Sequence, residues 1–181
     1  MAVQQGKTVY SGSSNFAGWH IAAAQEAAAR RPVTGLVSEQ SIYNLLQRSV
    51  EREVIPAAEH YGLGLLPWSP LHGGLLGGVL KKGHDGVRRL EGRAARALES
   101  HRDDIAAFES FAAKRGQEPA DIALAWLLHQ LAVTAPVIGP RTSAQLEAGL
   151  RALEVSLDVD ALARLNQIFP GPRTAPEDYA W

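Results

Sequence analysis

Residues 36–61 open with Leu36-Val37-Ser38-Glu39-Gln40-Ser41-Ile42-Tyr43-Asn44 and continue with apolar residues at Leu45, Leu46, Val50, Val54, Ile55 and Ala58. The first part is a short apolar run that turns polar near Gln40, which reads as a strand leaving a sheet. The second part has helical spacing, so a helix is predicted over Asn44 to Tyr61, with Pro56 kinking its last turn. Strand followed by helix is one unit, and the rest of the chain repeats it.

Upstream, Thr8 to Ser11 is a β-prone run and Gly12-Ser13-Ser14-Asn15 a loop. Gly18 to Arg31 is Ala-rich, hence strongly helical, and Pro32 stops it. Downstream, Gly64 to Trp68 is a third strand. Asp103 or Asp104 caps a helix to about Arg115, with Gly116 where a C-cap belongs. Pro119 opens a helix to Gln130, and Val133 to Ile138 is a fourth strand. Thr142 or Ser143 caps a helix through Leu153, and Asp158 or Asp160 starts a short one to about Ile168. The tail after Pro170 is irregular. Such alternation implies an α/β fold with parallel strands and outer helical crossovers, and it puts a ligand at the carboxyl edge of the sheet. The glycine-rich stretch from Leu71 to Gly92 lacks periodicity, so a mobile loop is expected over about residues 78–100. Trp19 and Trp126 lie on helical stretches and are assigned to the core.

The 181 residues form one domain with a substantial core. Eighteen basic and nineteen acidic residues nearly cancel. No strong field favours nucleic acid or an anionic membrane. There is no cysteine, so disulfides and thiolate chemistry are excluded. Met1 to Lys7 is polar, without the apolar segment of a targeting peptide, and Ile122 to Val133 is too short to span a bilayer. A soluble, cytoplasmic protein is expected. The six histidines are scattered singly, so no metal site is assigned.

Four loop sequences, one after each strand, carry a resemblance. They are Gly12-Ser13-Ser14-Asn15-Phe16; Ser38-Glu39-Gln40-Ser41-Ile42-Tyr43-Asn44; Pro67-Trp68-Ser69-Pro70-Leu71 with Gly73-Gly74-Leu75-Leu76-Gly77-Gly78 beyond it; and Val137-Ile138-Gly139-Pro140-Arg141-Thr142-Ser143-Ala144-Gln145-Leu146. In this order and spacing they resemble the loops after strands five to eight of the aldo-keto reductases. The resemblance implies an α/β fold that is the (βα)₄ half of a (β/α)₈ TIM-type barrel, with parallel strands and outer helices.

As bare sequence, Ser14 and Asn15 read as turn residues and Trp68 as core. The resemblance instead makes Ser14, Asn15 and Gln40 the residues that hold a nicotinamide carboxamide, and Trp68 the aromatic that stacks on its ring. A carboxamide needs donors and acceptors, and these three side chains offer both. Ser69, Pro70, Leu71 and Gly73 are assigned to the pyrophosphate, with Lys81, Lys82 and Arg93 either neutralising phosphates or forming a solvated basic loop. Gly139, Arg141 and Gln145 fall to the adenosine end. Arg141, just ahead of a helix N-terminus, suits the 2′-phosphate and favours NADP(H) over NAD. At Ala148-Gly149 the chain departs from the acidic residue and Asn usual in the family, which weakens the adenine end.

The family's Tyr, Lys, Asp and His of catalysis come from its first half-barrel, and no position here matches them. No catalytic residue is therefore assigned, and the chain is expected to be an oxidoreductase portion that is inactive alone. Its expected partners are a nicotinamide dinucleotide and either a second copy or a complementary N-terminal half. The alternative is a non-catalytic, self-associating half-barrel module. His72, in the presumed pyrophosphate loop, has no assigned role.

Overall fold

A computed structural model describes residues 2–31, 33–82, 93–175 and 177. The fold is α/β. Strands β1 (Ser11–Ser14), β2 (Leu36–Gln40) and β3 (Gly64–Leu65) form a parallel sheet in the order β1-β2-β3. Around it stand α1 (Gly18–Ala29), α2 (Val54–Tyr61), α3 (Val79–Lys82), α4 (Arg93–Ser100), α5 (Arg102–Lys114), α6 (Pro119–Leu128), α7 (Ser143–Arg151) and α8 (Val159–Ile168).

Several boundaries fall where local chemistry puts them. Pro119 is at the start of α6, where its missing N–H is harmless. Gly116, with φ +64°, follows α5. The Thr142 side chain accepts from Gln145 N to cap α7, and Asp158 accepts from Ala161 N to cap α8.

Other expectations are corrected. The β-prone Thr8-Val9-Tyr10 precedes the first strand, and Val9 and Tyr10 are exposed. The strand is the Ser-Gly-Ser-Ser that follows, because its register is set by pairing with β2. Gly12 is needed there: a Cβ would sit 3.0 Å from the Ser38 carbonyl oxygen. The single helix predicted over Asn44 to Tyr61 is instead a turn, a short 3₁₀ segment at Ser49–Glu51, and α2. Asn44 Oδ1 accepts from Leu46 N and Gln47 N, taking amides that a helix would need. Pro56 lies in the first turn of α2, where it is tolerated.

The fourth strand is reduced to one bridge between Leu65 and Val133, with Thr134 N donating to Leu65 O and Val137 N to Pro67 O. Pro136 cannot donate and interrupts any longer ladder. The loop expected over residues 78–100 is partly helical, as α3 and α4. Val79 and Leu98 are buried there with Leu75 and Ile105 in a small cluster of their own. Residues 83–92 of that expectation lie outside the described residues.

The main core joins β2 and β3 to α1, α2, α5, α6 and α8 through Ile21, Leu65, Phe108, Ile122, Trp126 and Leu165. Helix α6 is apolar and buried along most of its length, its one charged residue, Asp121, being paired with Arg151 at 3.2 Å. Trp126 is only 1% exposed, but Trp19, also assigned to the core, is 65% exposed. Near the start of α1, a Cβ on Gly18 would lie 2.7 Å from the Glu53 carbonyl oxygen. Gly18 thus allows α1 and the segment before α2 to approach closely.

Candidate functional site

The carboxyl ends of the three strands place four of the expected residues together. Ser14 closes β1 and Asn15 follows it, with φ +56°. Asn tolerates this left-handed backbone better than most side chains. Ser14 Oγ donates to Gln40 O at 3.0 Å, and Asn15 N donates to the same carbonyl at 3.0 Å. Asn15 Nδ2 donates to Ser14 Oγ at 3.3 Å, and Trp68 Nε1 donates to Asn15 Oδ1 at 3.0 Å. Gln40 joins through its backbone, which leaves its side-chain amide for other work. Trp68 is further placed by a parallel bridge with Ile42 and by its N–H donating to Ser41 O at 3.0 Å.

This arrangement fits a planar carboxamide. Asn15 Nδ2 carries a second hydrogen, Ser14 Oγ keeps a lone pair, and Gln40 brings both a donor and an acceptor. The Asn15 bond holds the indole of the half-buried Trp68 by its edge, which leaves a face for stacking.

Beyond Trp68 the backbone turns repeatedly into the left-handed region, at Ser69 (φ +54°), His72 (φ +46°), Gly73 (φ +67°) and Gly74 (φ +104°). Turns of this kind aim successive amides to one side and make anion-binding concavities. Asn44, buried and not singled out from the sequence, donates from Nδ2 to Ser69 O at 3.0 Å and holds this turn. Pro70 is buried and Leu71 half-buried, so both anchor the loop. Lys81 Nζ lies 4.0 Å from Glu118, and both are solvent-exposed, so the pair contributes little.

His72 Nδ1 is buried and has no hydrogen-bond partner among the described residues. Burial, and secondly the neighbouring charge of His101, hold its imidazole below the ordinary histidine range. The unfolded chain therefore takes up a proton first as pH falls through about 6.5. Stability is present above that pH and is lost below it, toward the lower folded value. Replacing His72 with Gln is expected to flatten this acid-side decline in the urea midpoint. An unchanged slope would rule His72 out as its source.

Gly139, Arg141 and Gln145 form a separate, exposed group. Arg141 N donates to Gln145 Oε1 at 2.7 Å, just ahead of α7. No described hydrogen bond links this group to the Ser14–Trp68 cluster. The segments that lead to the two groups are joined further back, by the Leu65–Val133 bridge, by Thr134 N donating to Leu65 O and by Val137 N donating to Pro67 O at 2.7 Å. A concavity of about 490 Å³ lies away from both groups, as a seam between Leu45–Ser49 with Arg52 and Pro170–Pro172.

Comparison with known proteins gives the same direction. The description "Aldo/keto reductase family" belongs to the family model that matches residues 1–169. The chain is 49% identical to the uncharacterized oxidoreductase YrpG of Bacillus subtilis, over 99% of this chain and 55% of that protein. It is 31% identical to versiconal hemiacetal acetate reductase of Aspergillus parasiticus, over 94% of this chain and 53% of that protein. With the NADP(+) aryl-alcohol dehydrogenase of Phanerodontia chrysosporium it shares 29% identity, over 93% and 46%. The chain spans about half the length of the curated relatives it matches. No helix among the described residues is long and apolar enough to cross a membrane. With the family match covering residues 1–169 and a parallel α/β sheet beneath it, the chain belongs to the aldo/keto reductase family.

Proposed function

We propose that this chain is the NADP(H)-binding portion of an aldo/keto reductase-type oxidoreductase, built as the (βα)₄ half of a (β/α)₈ barrel. The observation that carries the reading is the hydrogen-bonded cluster of Ser14, Asn15, the Gln40 carbonyl and Trp68 at the carboxyl ends of adjacent parallel strands. Ser14, Asn15 and Gln40 would orient the carboxamide of the nicotinamide, and Trp68 would cover one ring face. The left-handed turn would offer the Ser69, Leu71 and Gly73 amides to the pyrophosphate, since Pro70 has none and the His72 amide donates to Ser69 O. Gly139, Arg141 and Gln145 would take the adenosine end, with the exposed Arg141 on the 2′-phosphate.

A bound dinucleotide supplies a hydride, while the protein supplies orientation and electrostatics. Proton delivery to a carbonyl needs a positioned acid, a contribution of roughly 10²–10⁴-fold. No residue in the cluster is suited to that task, so residues 1–181 alone are inactive in this reading. The names of two relatives, one a reductase and one an NADP(+) dehydrogenase, are in keeping with it.

Titration with NADPH tests it. Saturable quenching of protein fluorescence is expected, and Trp68→Phe should remove most of it. NADPH should bind more tightly than NADH, and Arg141→Ala should erase most of the difference, since a charged contact of this kind contributes roughly 1.5–3 kcal/mol. NADPH oxidation in the presence of an aldehyde should match that of buffer. Absence of saturable binding would sink the proposal. Equal affinity for both nucleotides would sink the role of Arg141, and turnover that survives rigorous purification would sink the inactivity.

A second reading, a self-associating half-barrel module, is favoured by the exposed Val9 and Tyr10 beside β1 at the edge of the sheet. Association is compatible with dinucleotide binding.

A further inference from the structure

Glu39 is fully buried in the middle strand of the sheet, although it carries a carboxyl group that follows Leu36, Val37 and Ser38 in that strand. Charged side chains are almost never wholly buried without full pairing. Here Oε1 accepts two hydrogen bonds, from Phe16 N at 3.1 Å and from Ser41 Oγ at 2.6 Å. Oε2 is buried with no partner among the described residues. A group chosen for stability alone would not leave an oxygen orphaned.

The two bonds to Oε1 run to the two sides of the proposed nicotinamide cluster. Phe16 directly follows Asn15, and Ser41 accepts the Trp68 amide through its carbonyl at 3.0 Å. Asn15 and Trp68 then meet each other at 3.0 Å. One carboxylate oxygen thus ties the turn after β1 to the segment that seats Trp68, and the Asn15–Trp68 bond closes the ring of contacts. The adenosine group at Gly139, Arg141 and Gln145 has no described bond to this ring.

We infer that Glu39 is a positioning residue for the nicotinamide end of the site, setting the placement of Asn15 against Trp68 without touching the ligand. The inference rests on the dinucleotide reading given above. It separates the two ends of the ligand in a way that loss of fold does not. The test compares NADPH with adenosine 2′,5′-bisphosphate, which carries only the adenosine end, by calorimetry on the full chain. Glu39→Ala should weaken NADPH about tenfold or more and leave the bisphosphate within about twofold, one lost charged hydrogen-bond pair being enough for such a factor. Glu39→Gln keeps an acceptor oxygen in place and should recover most of the NADPH affinity. The Trp68 indole N–H resonance should shift in the Ala variant without any ligand, and return toward its wild-type position in the Gln variant.

Equal losses for both ligands, or none for either, would overturn the inference while leaving the binding proposal standing. A wild-type chain that binds neither ligand would overturn the binding proposal, and this inference with it. If Glu39→Ala fails to fold, Ser41→Ala carries the decision, since it removes one of the two bonds to Oε1 and keeps the carbonyl that accepts from Trp68 N. A shifted indole resonance with a loss for NADPH and none for the bisphosphate would support the inference, whereas equal losses for both ligands, or none for either, would refute it.

Discussion

Trp126→Ala is expected to destabilise the chain by about 3–5 kcal/mol, the usual range for truncating a buried aromatic. Trp126 is 1% exposed at the centre of the main core. Tyr43 packs edge-on against it at 5.2 Å between ring centroids, and the Arg48 guanidinium lies 5.1 Å from its ring centre. The Ala variant would leave a cavity lined by groups that are pinned elsewhere. Tyr43 donates to Glu51 at 2.7 Å, and burial, then Glu51, push its phenol far above the ordinary range, so it stays neutral. Arg48 is bound to Glu51, Asn166 and the Phe169 carbonyl, so it cannot move into the space. A domain with roughly 5–15 kcal/mol of net stability would lose a large share of it. With a urea slope of about 2 kcal/mol per M, the midpoint should fall by about 2 M. Trp19→Ala is the control: Trp19 is 65% exposed, and a loss within about 0.5 kcal/mol is expected. A Trp126 variant that unfolds within 1 kcal/mol of wild type, a fraction of the usual cost, would refute this account of the core.

Residues 1–181 should also associate at micromolar concentration. Among the described residues β1 is paired only with β2, so its other side presents free backbone groups, a template for a further strand. Val9 and Tyr10 directly precede it, at 73% and 64% exposure. Covering apolar surface of this kind contributes about 25 cal/mol per Å². Two-fold pairing is the commonest way a self-complementary surface is satisfied, so the expected species is a dimer. Sedimentation equilibrium reads it directly. Val9→Lys with Tyr10→Lys should weaken the association at least about tenfold, a change of roughly 1.4 kcal/mol. A compact monomer across the micromolar range would refute the dimer, and with it the reading of β1 as a docking edge.

The sequence by itself determined the parallel α/β plan, because hydrophobic period and terminal chemistry are local. Helix α6 was legible from Pro119 and the apolar run from Ile122 to Leu128, α5 from Gly116 beyond its end, and α7 and α8 from Thr142 and Asp158. The loop sequences were enough to indicate the family. Only the tertiary structure decided what depends on a distant partner. Thr8-Val9-Tyr10 outranks Ser11–Ser14 in strand propensity, yet pairing with β2 selects the latter. Trp19 and Trp126 look alike on helical stretches, and only packing separates the exposed ring from the buried one. Asn44 diverts a predicted helix because its side chain takes the amides of its own turn while reaching Ser69. Glu39 reads as one polar residue at the end of a strand. Its burial, with Oε1 held by Phe16 N and Ser41 Oγ, follows from the turn after β1 folding over β2 from more than twenty residues away, and no local pattern encodes that.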